Sequence, residues 1–254
     1  LVTDERLRNN ISSNGIHRMA STAWENTAIA HGLLFKQTGS SAISLQYKMP
    51  PVNLAHIKKL TTDFGMIQFS KINQPDITSG YTLDDNARAM IAMCQHFEFS
   101  HDEEDITYIR IYLRFIQHCL QPNGDFLNYV NEQKDFSEQN NTTNLADSNG
   151  RAVWALGYLI SMHNILPEEL INAADTVIQS ALHNISYIHS TRAMAFAIKG
   201  LYYYNSKKET PGNLLLIKEL ANRLVQMYRH EMDEKWQWFE SYLTYANSIL
   251  PEAL

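Results

Sequence analysis

Cysteine is nearly absent from this chain of 254 residues, which has only Cys94 and Cys119. Both fall within helical patterns and neither has metal-ligand spacing, so they read as free core thiols rather than a disulfide or a zinc site. Glycine and proline are also scarce, at 10 and 7 residues, which argues against a turn-rich sandwich and against a disordered tail. No basic cluster occurs and the formal charge is −6, which excludes a sequence-independent binder of the nucleic-acid backbone. No apolar run approaches the ~20 residues of a membrane span. His96, His101 and the run Asp102-Glu103-Glu104-Asp105 fit no zinc or EF-hand spacing, and acids ahead of a helix are what its N-terminus favours. No metal and no cofactor are therefore expected. The chain starts with Leu1, and Ser248 to Leu254 reads as a helix cut short, so a piece of a longer protein is expected, in the cytoplasm.

What the chain does have is a repeat. Leu83-Asp84-Asp85-Asn86-Ala87-Arg88-Ala89 returns at a constant offset as Ala146-Asp147-Ser148-Asn149-Gly150-Arg151-Ala152. Each copy runs into an apolar stretch, and a fainter third copy, His189-Ser190-Thr191-Arg192-Ala193, does the same. Self-similarity at the start of successive helices is the mark of a repeat architecture.

Residues 1 to 20 are polar and read as irregular, punctuated by the turn signal Asn14-Gly15. Residues 22 to 37 place Ala23, Trp24, Ala28, Ile29, Leu33 and Leu34 at helical spacing. With its Trp24-Glu25-Asn26 start, this segment resembles the last helix of bacterial mannosyltransferase-like retaining glycosyltransferases with two Rossmann domains. Gly39-Ser40-Ser41 and Met49-Pro50-Pro51 then read as a linker, which divides the chain into an N-terminal segment, 1 to 52, and a helical domain, 53 to 254.

From residue 82 on, two kinds of helix alternate. Residues 87 to 94, 152 to 160 and 193 to 204 are apolar on almost every side, whereas 105 to 119, 169 to 185 and 214 to 228 are one-sided. Inner helix followed by outer helix, three times over, predicts an all-α, incomplete α/α toroid with a fourth inner helix starting near Ser241 and truncated. A uniform α-solenoid would show two amphipathic helices per repeat instead.

In such a ring the inner-helix N-termini open on one end, and Asp84, Asp85 and Asp147 converge there. Asp and Ser are also ordinary helix caps, worth about 1 kcal/mol each, but one cap needs only one carboxylate and Asp84-Asp85 supplies two. Asn86, Arg88, Asn149 and Arg151 lie within the same turns. The segment 121 to 129, with Phe126 and Tyr129, and the segment 236 to 245, with Trp236, Trp238, Glu240, Tyr242 and Tyr245, bring aromatic faces next to carboxylates, a combination that suits sugar rings.

The paired acids at an inner-helix start, the Gly124-Asp125-Phe126 loop and Trp238-Phe239-Glu240 resemble the six-hairpin glycosidase superfamily over residues 60 to 254. That resemblance implies a glycoside-hydrolase-like, carbohydrate-active domain whose partner is an oligosaccharide or glycan. Catalytic carboxylates would come from Asp84, Asp85, Asp147 and Glu240, with Asn86, Arg88, Asn149, Arg151, Trp236, Trp238, Tyr242 and Tyr129 binding substrate. The third inner start departs from the pattern, with His189 and Ser190 in place of acids. A catalytically silent module that binds a glycan or a protein partner for a glycosyltransferase is the alternative. Terpenoid chemistry on a toroid is disfavoured because no Asp-rich diphosphate motif is present.

Overall fold

Asp4 starts the first helix of the protein, α1 (Glu5–Met19), by accepting a hydrogen bond from Leu7 N at 2.9 Å. Residues 4–39 and 51–254 are described here, in a computed structural model. Ser40-Ser41 and Met49-Pro50, read as parts of a linker, lie outside the described residues. The chain forms two compact units, Leu1–Asn53 and Leu54–Leu254. In the first, the irregular segment expected over residues 1 to 20 is mostly helix. Glu5 in its first turn and His17 and Arg18 in its last complement the helix dipole. Gly15 does not break it, since glycine inside a helix costs only about 1 kcal/mol relative to alanine. After a 3-10 turn comes α2 (Trp24–Thr38); neither helix buries a residue, and Trp24 is 86% exposed.

The second unit is mostly helical. It opens with α3 (Ala55–Leu60) and includes two short antiparallel ribbons, β1 (Ser70–Lys71) with β2 (Gln74–Pro75), and β3 (Tyr81–Thr82) with β4 (Tyr129–Val130). Among the described residues no sheet exceeds two strands. Seven helices follow: α4 (Leu83–Ser100), α5 (Glu104–Cys119), α6 (Ala146–Ser161), α7 (Glu168–Ile185), α8 (Thr191–Lys207), α9 (Pro211–Glu231) and α10 (Ile249–Ala253). Helices α4, α6, α8 and α10 pack side by side in one row, while α5, α7 and α9 each lie against the row member that precedes them. The apolar-all-round segments are thus the row, and the one-sided segments cover it. The fourth row member differs from expectation: residues 241 to 247 are irregular, and α10 starts only at Ile249.

Helices α6 and α8 meet backbone to backbone. A Cβ on Gly157 would fall on the Gly200 carbonyl, one on Gly200 would fall on the Val153 carbonyl, and one on Gly150 would stand 2.6 Å from Ala193 O. Beside this seam Trp154 stacks on Phe196 at 5.8 Å with ring planes 8° apart. Overpacking of a tight seam costs about 1–3 kcal/mol. Gly157→Ala and Gly200→Ala should therefore each lower unfolding stability by about 2 kcal/mol or more in urea titrations. Gly212→Ala, where the nearest atom is 3.9 Å away, should be neutral or slightly stabilising.

Candidate functional site

At the start of α4 the two adjacent acids take different positions. Thr82 is the N-cap: its Oγ1 accepts from Asp85 N at 3.1 Å and donates to Asp85 Oδ2 at 2.6 Å, so Asp85 belongs to the cap. Arg88 Nη2 reaches both acids at 2.7 Å, at Asp84 Oδ2 and Asp85 Oδ1. Asp84 makes no cap. Its backbone N–H is held by Asn128 Oδ1 at 3.0 Å, and its Oδ1 lies 2.6 Å from Arg151 Nε in an ion pair not aligned as a hydrogen bond. Arg151, almost buried, reaches Asp84 from the next row helix, with its guanidinium 4.2 Å from the centre of the Phe196 ring.

The start of α6 is satisfied without Asp147: Asn144 Oδ1 accepts from Ala146 N at 2.9 Å, and Ser148 Oγ donates to Leu145 O at 2.8 Å. Asp147 instead accepts from Ser190 Oγ at 2.6 Å and from the Tyr245 hydroxyl. Ser190 is in turn the N-cap of α8. Three consecutive row helices are therefore joined at their N-termini through carboxylates.

A cavity of about 350 Å³ opens between these helix starts. Asp84 and Asp147 both line it, with Asn128, Tyr129, Ser190 and Tyr245 around them, and every lining side chain carries a polar group. Burial pushes the Asp84 carboxyl above the usual carboxylate range, outweighing the downward pull of Arg151 and Arg88. The Tyr245 phenol is pushed up to about 12 by burial and by its hydrogen bond to Asp147. Among the described residues no group of three or more His, Cys, Asp or Glu side chains is arranged to hold a metal ion.

No family model and no curated protein matches this chain. What the site can do follows from its geometry. Of the residues expected to act, Asp84, Asp147 and Tyr129 line the cavity, and Arg88 and Arg151 hold Asp84. Asn86 and Asn149 are placed differently: each clips a loop strand to its helix. Asn86 Oδ1 accepts from Met66 N and its Nδ2 donates to Met66 O, while Asn149 makes the same two bonds to Phe126. Their amide N–H groups are spent on backbone carbonyls, and Asn149 lies on the wall of a neighbouring cavity rather than this one.

Glu240 does not line the cavity either. Its Oε1 is taken by Arg192 Nη1 at 2.6 Å and by Thr191 Oγ1, and its Oε2 is buried without a partner. Trp236 donates from Nε1 to Glu240 O at 2.6 Å, Trp238 packs edge-on against Phe239, and Tyr242 is exposed, so none of the three lines the cavity. Asn128, Asn144, Ser148 and Ser190 line the cavity without having been singled out as ligands. The signal for Ser190 was its place in the third copy of the repeat.

Loss of a buried amide that pairs two backbone groups costs about 1–3 kcal/mol. Asn86→Ala, at a fully buried position, should lower stability by that amount in denaturant titrations. Asp84, followed by carboxyl NMR, should titrate above the usual aspartate range, and in Arg151→Met it should move higher still, since a lowering charge is gone. Because its folded value is raised, the stability that Asp84 contributes is present at acid pH and is lost as the pH rises through that value.

Proposed function

We propose that residues 54 to 254 are part of an α/α toroid whose mouth cavity binds a sugar unit of a glycan, with Asp84 and Asp147 as the acid pair of a glycoside-hydrolase-like site. The observation that carries this reading is that two carboxylates from successive row helices face one cavity in which every lining side chain carries a polar group, while neither caps its own helix. At about 350 Å³ the cavity is at the small end of ligand sites, where a single ring fits. Hydroxyls of a sugar match the Asn128, Asn144, Ser148 and Ser190 groups, and the Tyr129 and Tyr245 rings offer faces to its C–H bonds. Asp84, raised by burial, is the proton donor to the leaving glycosidic oxygen, and Asp147 is the partner carboxylate that such hydrolysis uses as base or nucleophile. The exposed Trp24 face of α2 accords with a place beside a glycosyltransferase domain.

A catalytically silent glycan-binding module is the second reading. It is favoured by the full engagement of both acids, Asp84 by two guanidiniums and Asp147 by two hydroxyls. Hydrolysis of a panel of α- and β-linked gluco- and manno-oligosaccharides separates the two. On the enzymatic reading Asp84→Asn and Asp147→Asn each lower the rate by about 100-fold or more, as loss of an acid–base group does, while calorimetry still detects binding. Binding by the unmodified chain without any hydrolysis selects the silent module, and hydrolysis that survives both changes removes the acid pair.

A further inference from the structure

A second, larger cavity of about 950 Å³ adjoins the acid cavity, and Asn144 and Ser190 line both. It lies between the loop from α5 to α6, the C-terminal turns of α7 and the short connection from α7 to α8. Its lining is mixed. Val153, Ala181 and Ile185 contribute apolar surface, whereas Asn123, Asp125 and Asn184 contribute polar groups. Those polar groups are already fixed, because Asn184 Nδ2 donates to Asn123 O and to Asp125 Oδ1, both at 2.8 Å. Gly124, at φ 88°, lets the turn lie against the Ser180 carbonyl of α7, a position that any Cβ would block. Tyr187 is 66% exposed and touches His183 only edge-on, so its ring is open to a ligand.

We infer that this cavity is a second binding site that takes the further sugar units of the glycan whose end lies in the acid cavity. The inference rests on the carbohydrate reading above and deepens it: the ligand is an oligosaccharide of about three units or more, which crosses from one cavity to the other past Asn144 and Ser190. Nearly three times the volume of the acid cavity leaves room for more than one further ring. Apolar walls with fixed amides and an exposed tyrosine suit a ligand that has C–H faces and hydroxyls along its whole length. A preformed wall loses little freedom when it binds, so added sugar units translate into affinity.

The test is isothermal titration calorimetry of the intact chain with α- and β-linked gluco- and manno-oligosaccharides of one to four units, for the unmodified protein and for Tyr187→Ala. Tyr187 is exposed and makes no hydrogen bond with its side chain, so the variant keeps the fold. Affinity is expected to rise about tenfold from one unit to three, a gain of the size a well-placed aromatic contact provides. Tyr187→Ala should abolish that rise and leave single-unit affinity within about twofold, since its ring does not touch the acid cavity. Affinity that does not depend on length, while Asp147→Asn still weakens single-unit binding, overturns this inference and leaves the acid site standing. A length-dependent gain unchanged in Tyr187→Ala overturns it as well. No binding of any member of the panel overturns both this inference and the reading on which it rests.

Discussion

The bare contact between α6 and α8 is the constraint on which the rest of the second unit depends. With Gly150 and Gly157 on one helix and Ala193 and Gly200 on the other, the two backbones approach until carbonyls and α-carbons touch. Such closeness fixes more than helix spacing. It sets the N-terminus of α8 next to that of α6, near enough for Ser190 to bond Asp147 at 2.6 Å. It also brings Phe196 under the Arg151 guanidinium at 4.2 Å, which steers that cation toward Asp84. Small residues in mid-helix carry a cost in helix propensity of about 1 kcal/mol per glycine, and here the gain is a close packing that larger side chains would prevent.

Asparagine gives the loops what glycine gives the helices. Asn86 and Asn149 perform the same task one hairpin apart, each accepting from and donating to one loop residue and donating also to the carbonyl four residues before it. Asn140 does likewise within the loop, accepting from Asn128 N and Tyr129 N and donating to Tyr129 O. An asparagine side chain presents the same donor and acceptor as a peptide group, so it can complete a ladder where no strand is available. Long connections between helices are thereby held close to the row without a sheet to carry them. Asn128, locked in this way, presents its own amide to the Asp84 N–H and to the cavity.

The alternation of row and cover was legible in the sequence because burial on all sides and burial on one side leave different patterns, as in Ala152 to Ile160 and in Leu216 to Tyr228. The repeat was legible too, and it marked the helix starts where Asp84 and Asp147 face the cavity. Its asparagines look the same in sequence whether they brace a loop or grip a substrate, and the structure shows the bracing, with Asn149 also on the wall of the larger cavity. α1 escaped notice because a fully exposed helix has no apolar stripe to reveal it, and only the Asp4 cap and the charges at its ends could have shown it. Glu240 could not be assigned from sequence because its partner, Arg192, belongs to a helix 48 residues away along the chain. Pairings of that kind arise from tertiary packing, and no local pattern encodes them.

Arg192 binds the segment after α9 at four points: Nε donates to Tyr245 O at 2.6 Å, Nη1 to Glu240, and Nη2 to Thr244 and to Asn247. The backbone of Tyr245 is thus tied to α8, while its half-exposed ring lies 5.0 Å from the Arg192 guanidinium and 5.8 Å from that of Arg151 and bonds Asp147 through its hydroxyl. The wall that the Tyr245 ring gives the acid cavity is therefore set by Arg192, a side chain that does not itself line that cavity.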